Sequence, residues 1–143
     1  MRLDYLQHRV RVGEGADLAP GAAVIGRLVA GAGLVLRPFA TLRADGESIT
    51  VGRDAFFGER ASVHIVDGIL ATRMGDDVTV GRFGLVHACT VGDGCVVGEA
   101  AAVLDGATLG DTPCSPPTAS WRRASTCRAA GCTPVRPRVP CAR

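Results

Sequence analysis

The sequence predicts an all-β protein, folded as a parallel β-helix of hexapeptide repeats. Three observations predict this class. A large apolar residue recurs at every sixth position, as in Val51, Phe57 and Val63. A small residue follows most of them four places later, as with Ala55 and Ala61, and a glycine often follows directly. One large and one small inward side chain per hexad fill a narrow prism, and glycine suits its tight corners.

The repeat continues along most of the chain. Three flat sides and three corners close one coil of about 18 residues. We therefore expect each hexad to be a short strand with its large residue pointing inward, and residues 66–78, which interrupt the rhythm, to form a loop. The large residues of the fourteen hexads are Val12, Leu18, Val24, Val29, Val35, Val51, Phe57, Val63, Val80, Val86, Val91, Val97, Val103 and Leu109.

The chain divides into a predicted β-helix domain, residues 1–111, and an irregular tail, residues 112–143. The first part holds ten Arg and fourteen acidic residues, whereas the tail holds six Arg and no acid. The absence of Lys and Asn indicates a GC-rich gene. The tail is rich in Pro, Arg, Ser and Cys, which is the composition expected when a GC-rich gene is translated in the wrong reading frame. The tail is therefore predicted to be out of frame or disordered. A cluster of its cysteines is the alternative, although their spacing matches no common zinc or disulfide framework.

Location and partners are predicted from what the sequence lacks. No basic segment leads into an apolar run with a cleavage site at the N-terminus, and no stretch approaches 18 consecutive apolar residues. The net charge is only +2. We expect a cytoplasmic protein that binds neither nucleic acid nor membrane.

Six motifs carry polar residues in a distinctive order. They are TLRAD at 41–45, ITVG at 49–52, ASVH at 61–64, GDDVTVG at 75–81, LVHACTVGD at 85–93 and VLDGA at 103–107. In this order they resemble the γ-class carbonic anhydrases over about half of the chain. The resemblance implies a left-handed parallel β-helix that assembles as a homotrimer. It also implies a zinc ion, held by three histidines between neighbouring subunits, that hydrates CO2 to bicarbonate through a metal-bound hydroxide.

Four residues are the site candidates that the resemblance implies. His64 and His87 match two of the metal ligands, and Arg43 and Asp45 match a charged pair at the subunit contact beside the active site. A catalytic zinc takes three protein ligands and one water, whose pKa it lowers to about 7. Each histidine follows an inward valine and so points outward, which also fits ordinary surface histidines. Likewise, Arg43 and Asp45 also fit a solvated ion pair.

Three positions depart from the family pattern. The third ligand place holds Arg82, whose guanidinium offers no lone pair to a metal. Phe56 and Gly58 stand where the family usually has an Asn and a Gln near the metal-bound water. Zinc binding by this chain is accordingly doubtful.

Three functions remain open from the sequence. The first is a γ-carbonic-anhydrase-like protein with a degenerate metal site, in which CO2 hydration is weak or absent. The second is a non-catalytic trimeric scaffold or binding protein. The third is a hexapeptide-repeat acyltransferase in which a histidine such as His87 acts as general base.

Overall fold

The computed structural model describes residues 1–111, so the predicted tail, 112–143, lies outside the described residues. The described chain forms fifteen strands and no helix, and therefore no helix that could cross a membrane. The strands are β1 Arg2–Leu3, β2 Arg11–Val12, β3 Asp17–Leu18, β4 Ala23–Ala30, β5 Val35–Leu36, β6 Thr41–Val51, β7 Phe56–Phe57, β8 Ser62–His64, β9 Thr72–Met74, β10 Thr79–Val80, β11 Leu85–His87, β12 Thr90–Val91, β13 Val96–Val97, β14 Ala102–Val103 and β15 Thr108–Leu109.

The strands stack into three walls, and every strand pairing is parallel. The first wall contains β1, β8, β11, β14 and the first parts of β4 and β6. The second contains β2, β9, β12, β15 and the last parts of β4 and β6. The third contains β3, β5, β7, β10 and β13. This is a left-handed parallel β-helix of about five turns, as predicted.

The length of a coil follows from the register. Thr90 pairs with Thr108 and Val80 with Val97, so the uninterrupted coils take 18 or 17 residues, the differences 108 − 90 and 97 − 80. Two coils are longer, because Thr41 pairs with Ser62, 21 residues on, and His64 with His87, 23 residues on. Successive coils place equivalent residues directly above one another. A residue type repeated at this spacing therefore forms a ladder along one wall or one corner.

The interior of the prism is a continuous apolar core. Phe57, Val63, Val80 and Val86 are fully buried, as the hexad rhythm predicts. Val51, Val91 and Val97 are also buried, and Val103 is partly buried in the last described coil.

The prediction was wrong for two hexads near the N-terminus. Val29 is 49% exposed, and Val35 is only partly buried. The inward positions are instead Ala30 and Leu36, which continue the spacing of six from Val24. At the first position the larger neighbour, Val29, was assigned in place of Ala30, and the spacing of six carried this one-residue error on to Val35. Because side chains alternate along a strand, a shift of one residue moves the assignment to the opposite face.

The predicted loop at residues 66–78 is also wrong in extent. Only residues 66–70 leave the coil, where Val66 and Leu70 close a short antiparallel bridge. Strand β9 then restores the second wall, with Met74 inward. Thr72, the one buried polar residue of the described core, donates its hydroxyl hydrogen to the His64 carbonyl, 2.5 Å away, and so links the start of β9 to the end of β8.

Candidate functional site

The two candidate histidines lie side by side on the outer surface of the first wall. β8 and β11 pair in register, so His64 and His87 occupy equivalent places in successive coils. Each follows a buried valine and points away from the core, as predicted. The side chains of His64 and His87 are 24% and 26% exposed to solvent. The Nδ1 atom of His64 is 3.2 Å from the Nε2 atom of His87.

Arg43 and Asp45 lie against the first of these rings. The Oδ1 atom of Asp45 and the Nη2 atom of Arg43 are each 2.9 Å from the His64 Nε2 atom. The Arg43 Nε atom is 3.4 Å from Asp45 Oδ2. Partial burial works to raise the pKa of Asp45, but its hydrogen bonds and the Arg43 charge outweigh burial, and the pKa is lowered. The structure thus brings all four predicted site residues together, while their roles stay predictions.

Asp105 is a member of this cluster that the sequence did not identify as a site residue. It follows β14 in the next coil, and its Oδ1 atom is 2.5 Å from the Nδ1 atom of His87. Asp105 is part of the VLDGA motif at 103–107, which the sequence analysis used only for the family resemblance. The sequence alone did not indicate that the turn after β14 carries this carboxylate back over the histidine below it.

Arg82 is engaged elsewhere on the same subunit. It lies in the turn between β10 and β11, where its guanidinium donates to both oxygens of Glu99, with Nη2 to Oε2 at 3.0 Å and Nε to Oε1 at 3.1 Å. This hydrogen bonding raises the pKa of Arg82. The Arg82 side chain therefore stays protonated, and the third ligand place holds a permanent positive charge.

The replacement at Gly58 has a steric basis. A Cβ atom on Gly58 would lie 2.7 Å from the Arg82 nitrogen and 2.9 Å from the Gly81 carbonyl carbon. Such contacts are shorter than ordinary van der Waals separations, so the corner as it stands leaves no room for a glutamine. Phe56 lies in β7, on the third wall and away from the histidine pair. Neither position supplies a polar side chain for a metal-bound water.

The residues present meet only part of the requirement for zinc. Two nitrogens bound to a tetrahedral zinc at 2.0–2.1 Å stand about 3.3 Å apart, close to the separation of His64 Nδ1 and His87 Nε2. Within residues 1–111 no group of three or more His, Cys, Asp or Glu side chains is arranged to hold a metal. With Arg82 at the third place, the described residues do not fit a three-histidine zinc site.

A shallow depression of about 430 Å³ opens over the pair. Its polar walls are the Thr41 and Ser62 hydroxyls, which are in register in neighbouring strands, together with Arg43. Leu85 supplies the apolar part. The depression is open to solvent and combines hydroxyl, imidazole and guanidinium groups with an apolar side chain.

Comparison with known proteins supports the resemblance. No family model matches the chain. It is 37% identical over 97 residues to "Gamma carbonic anhydrase 2, mitochondrial" of Arabidopsis thaliana, covering 64% of this chain and 35% of that protein. It is 29% identical over 103 residues to "Carnitine operon protein CaiE" of Escherichia coli, covering 67% of this chain and 48% of that protein. The chain thus spans about a third of the length of the first relative and about half of the second.

The fold is shared with a solved structure described as a putative acetyltransferase of Bacillus cereus. The TM-score is 0.62 at 16% sequence identity, with 77% of this chain and 74% of that one covered. At this identity the likeness shows the fold alone. The chain is therefore a hexapeptide-repeat β-helix protein. Among such proteins its homologues are the γ carbonic anhydrases and CaiE, which confirms the resemblance predicted from the motifs.

Proposed function

We propose that this protein is a γ-carbonic-anhydrase-like protein whose metal site is degenerate and whose CO2 hydration is weak or absent. The observation that carries the proposal is Arg82, which stands at the third ligand place and is paired with Glu99. His64 and His87 remain as two candidate ligands. Zinc bound by two histidines lacks the third protein ligand with which a catalytic site tunes its water.

The zinc content of the purified protein tests this proposal. We expect much less than one zinc per subunit by elemental analysis, and weak or no hydration of CO2. Arg82→His should raise zinc affinity because it restores a neutral nitrogen ligand. Arg37→His is the matched control, since Arg37 also pairs with a glutamate, Glu59, on the same corner of the prism. Stoichiometric zinc in the unmodified protein, or equal zinc affinity of the two variants, would contradict the proposal.

We also propose that the protein assembles as a homotrimer with the histidine wall at the subunit contact. An exposed corner supports this assembly. Phe39 and Phe83, 60% and 58% exposed, flank Arg60, whose guanidinium carbon is 5.8 and 5.9 Å from the two ring centroids. We call these three residues the aromatic edge. It adjoins the histidine wall, since Phe39 precedes β6 and Phe83 precedes β11. Large exposed apolar side chains grouped in this way are typical of contact surfaces.

Size-exclusion chromatography with light scattering tests the assembly. The unmodified chain should elute at three times the mass of one subunit. The double variant Phe39→Ser with Phe83→Ser should elute as a smaller species, because it removes apolar contact area. Val96→Ser is the control, since Val96 is 61% exposed on the third wall. A monomeric unmodified chain, or an unchanged trimer in the double variant, would argue against this interface.

A non-catalytic scaffold is the second candidate function. It is favoured by the hydrogen bonds within the cluster, which occupy both histidines without a metal or a substrate. The acyltransferase alternative has no comparable observation, because the likeness to the putative acetyltransferase extends to the fold only.

A further inference from the structure

We propose that Asp67–Gly68, in the short loop of residues 66–70, is a modification site at which the chain isomerises spontaneously to isoaspartate. Aspartate followed by glycine is prone to this reaction, because glycine has no side chain to hinder attack by its backbone nitrogen. Isomerisation requires neither catalysis nor zinc, so the site goes beyond the proposed function. Four such pairs occur in the chain, all within the described residues 1–111, and they are Asp45–Gly46, Asp67–Gly68, Asp93–Gly94 and Asp105–Gly106.

The reaction needs a free backbone nitrogen and a free carboxyl group. The Gly68 nitrogen attacks the Cγ atom of Asp67 and closes a cyclic succinimide, and the carboxyl hydroxyl leaves as water with the hydrogen of that nitrogen. Water then adds back and opens the ring. Opening at the side-chain carbonyl restores aspartate, whereas opening at the backbone carbonyl leaves isoaspartate, in which the main chain runs through Cβ and Cγ. Contacts that hold either reacting group oppose the first step.

The carboxylate is held in three of the four pairs. Each contact restricts the rotation that would bring Cγ to the glycine nitrogen. The three contacts join Asp45 Oδ1 to His64 Nε2 at 2.9 Å, Asp93 Oδ1 to the Asp76 nitrogen at 2.8 Å and Asp105 Oδ1 to His87 Nδ1 at 2.5 Å. The Asp67 carboxylate differs, since it has no hydrogen-bond or ion-pair partner among the described residues.

The glycine nitrogens show the same contrast. The Gly94 N–H donates to the Asp76 carbonyl and the Gly106 N–H donates to the Ala88 carbonyl, both at 2.9 Å. The Gly68 N–H has no hydrogen-bond partner within residues 1–111. Asp67–Gly68 is therefore the pair in which both reacting groups are free.

The loop also leaves Asp67–Gly68 open to solvent. Both residues are exposed, and nothing lies within 4 Å of a Cβ built on Gly68. Exposed loops open locally at little cost in free energy, whereas hydrogen bonds between packed coils open rarely. We therefore expect Asp67 to isomerise at least about tenfold faster than Asp93 or Asp105.

Peptide mapping of the aged full chain tests the proposal. The purified protein is incubated near neutral pH in water enriched in ¹⁸O and is then digested with trypsin in ordinary water. Cleavage after arginine releases residues 61–73, which carry Asp67, residues 44–53, which carry Asp45, and a peptide from Phe83 onwards that carries Asp93 and Asp105. Electron-transfer fragmentation distinguishes isoaspartate from aspartate. We expect isoaspartate to accumulate first at Asp67, with ¹⁸O incorporated there because solvent water opens the ring.

Two controls separate the effect of the fold from that of the sequence. In the chain unfolded by urea all four pairs should isomerise at similar rates, and in the folded protein Asp67 alone should keep most of that rate. Asp67→Glu retains the charge, but its longer side chain does not form the succinimide, so residues 61–73 of this variant should yield no isoaspartate.

Three outcomes would overturn the proposal. They are equal rates at all four pairs in the folded protein, a rate at Asp67 as slow as at Asp93 and Asp105, and isoaspartate at Asp67 without ¹⁸O. Stoichiometric zinc in the purified protein would contradict the proposed function but not this modification site, which involves no metal.

Discussion

Two corners of the prism are built in opposite ways. Between the second and third walls, aspartates from successive coils bond to one another's backbone. We call this the aspartate corner. Between the third and first walls, the aromatic edge presents two phenylalanines and an arginine to solvent. One corner completes itself within the subunit, whereas the other leaves apolar surface uncovered.

The aspartate corner satisfies backbone donors at each turn of the chain. The Oδ1 atom of Asp76 accepts the Arg53 N–H at 2.8 Å, that of Asp93 accepts the Asp76 N–H at 2.8 Å, and that of Asp111 accepts the Asp93 N–H at 3.0 Å. Glycine lies beneath each carboxylate. A Cβ on Gly52, for example, would be 2.3 Å from Asp76 Oδ1 and 2.5 Å from the Gly75 carbonyl carbon. The absence of a side chain therefore makes room for the next coil.

The aromatic edge combines backbone strain with exposure. Phe39, Arg60 and Phe83 all have positive φ, 62°, 57° and 57°, a region that disfavours side chains with a Cβ. Gly21 occupies the equivalent place in the first coils, and a Cβ there would be 2.6 Å from the Phe39 ring. Bulky residues at such positions recover little burial within one subunit. The difference teaches that the aspartate corner stabilises the fold within one subunit, whereas the aromatic edge contributes little to that fold, as the subunit contact proposed above would require.

The largest effect is expected in the interior that both corners enclose. Val97→Asp places a charge in a dry core and should lower the free energy of unfolding by at least about 4 kcal/mol. Val96→Asp, at the exposed neighbouring position, should change it by less than about 0.5 kcal/mol. Urea unfolding followed by circular dichroism measures both, and similar losses in the two variants would contradict the inward and outward assignment.

A methyl group at the aspartate corner should have the next largest effect. Gly52→Ala should lower the free energy of unfolding by about 3 kcal/mol, because backbone of the next coil must shift. Gly98→Ala is the control, since nothing lies within 4 Å of a Cβ there. The same urea titration compares them. A tolerated Gly52→Ala would show that this corner is less tightly closed than its contacts indicate.

The aromatic edge should respond in the opposite direction. Phe83→Gly relieves a positive φ and loses little buried area, so the unfolding free energy of the isolated subunit should rise by about 1 kcal/mol. Self-association should weaken at the same time. Unfolding is measured at subunit concentrations too low for association, with light scattering at higher concentration. A loss of subunit stability would contradict the assignment of this corner to contact.

The smallest effect is expected from acid. The backbone hydrogen bond from Arg53 is the main cause that lowers the pKa of Asp76 from its ordinary 3.8. Because the folded-state pKa is the lower one, the stabilisation is present above about pH 4 and is lost as the pH falls through the folded-state pKa. Asp76→Asn should therefore make the acid branch of the stability curve shallower. Thermal melts between pH 2.5 and 6 measure it, and identical curves would show that Asp76 makes no such contribution.

The hexad rhythm was enough to predict the class of fold, the length of the uninterrupted coils and most of the core. The reason is local, since a small prism requires an inward side chain at every sixth position. The same rhythm failed at Val29 and Val35, where a large residue lies beside the inward Ala30 and Leu36. Residue size alone does not decide which face of a strand is buried. The order of the motifs likewise indicated the two candidate metal ligands and the arginine, Arg82, at the third ligand place.

What only the tertiary structure decided is how residues about one coil apart meet. The sequence indicated His64 and His87 as candidates, but not that Asp45 and Asp105 bracket them from opposite ends. It contained Phe39, Arg60 and Phe83 without indicating that they form one edge. These contacts join residues separated by 18 to 23 positions, and their distances depend on how each corner turns and where the 66–70 loop is inserted. Periodicity predicts the wall on which a residue stands, whereas the corners determine which side chains touch.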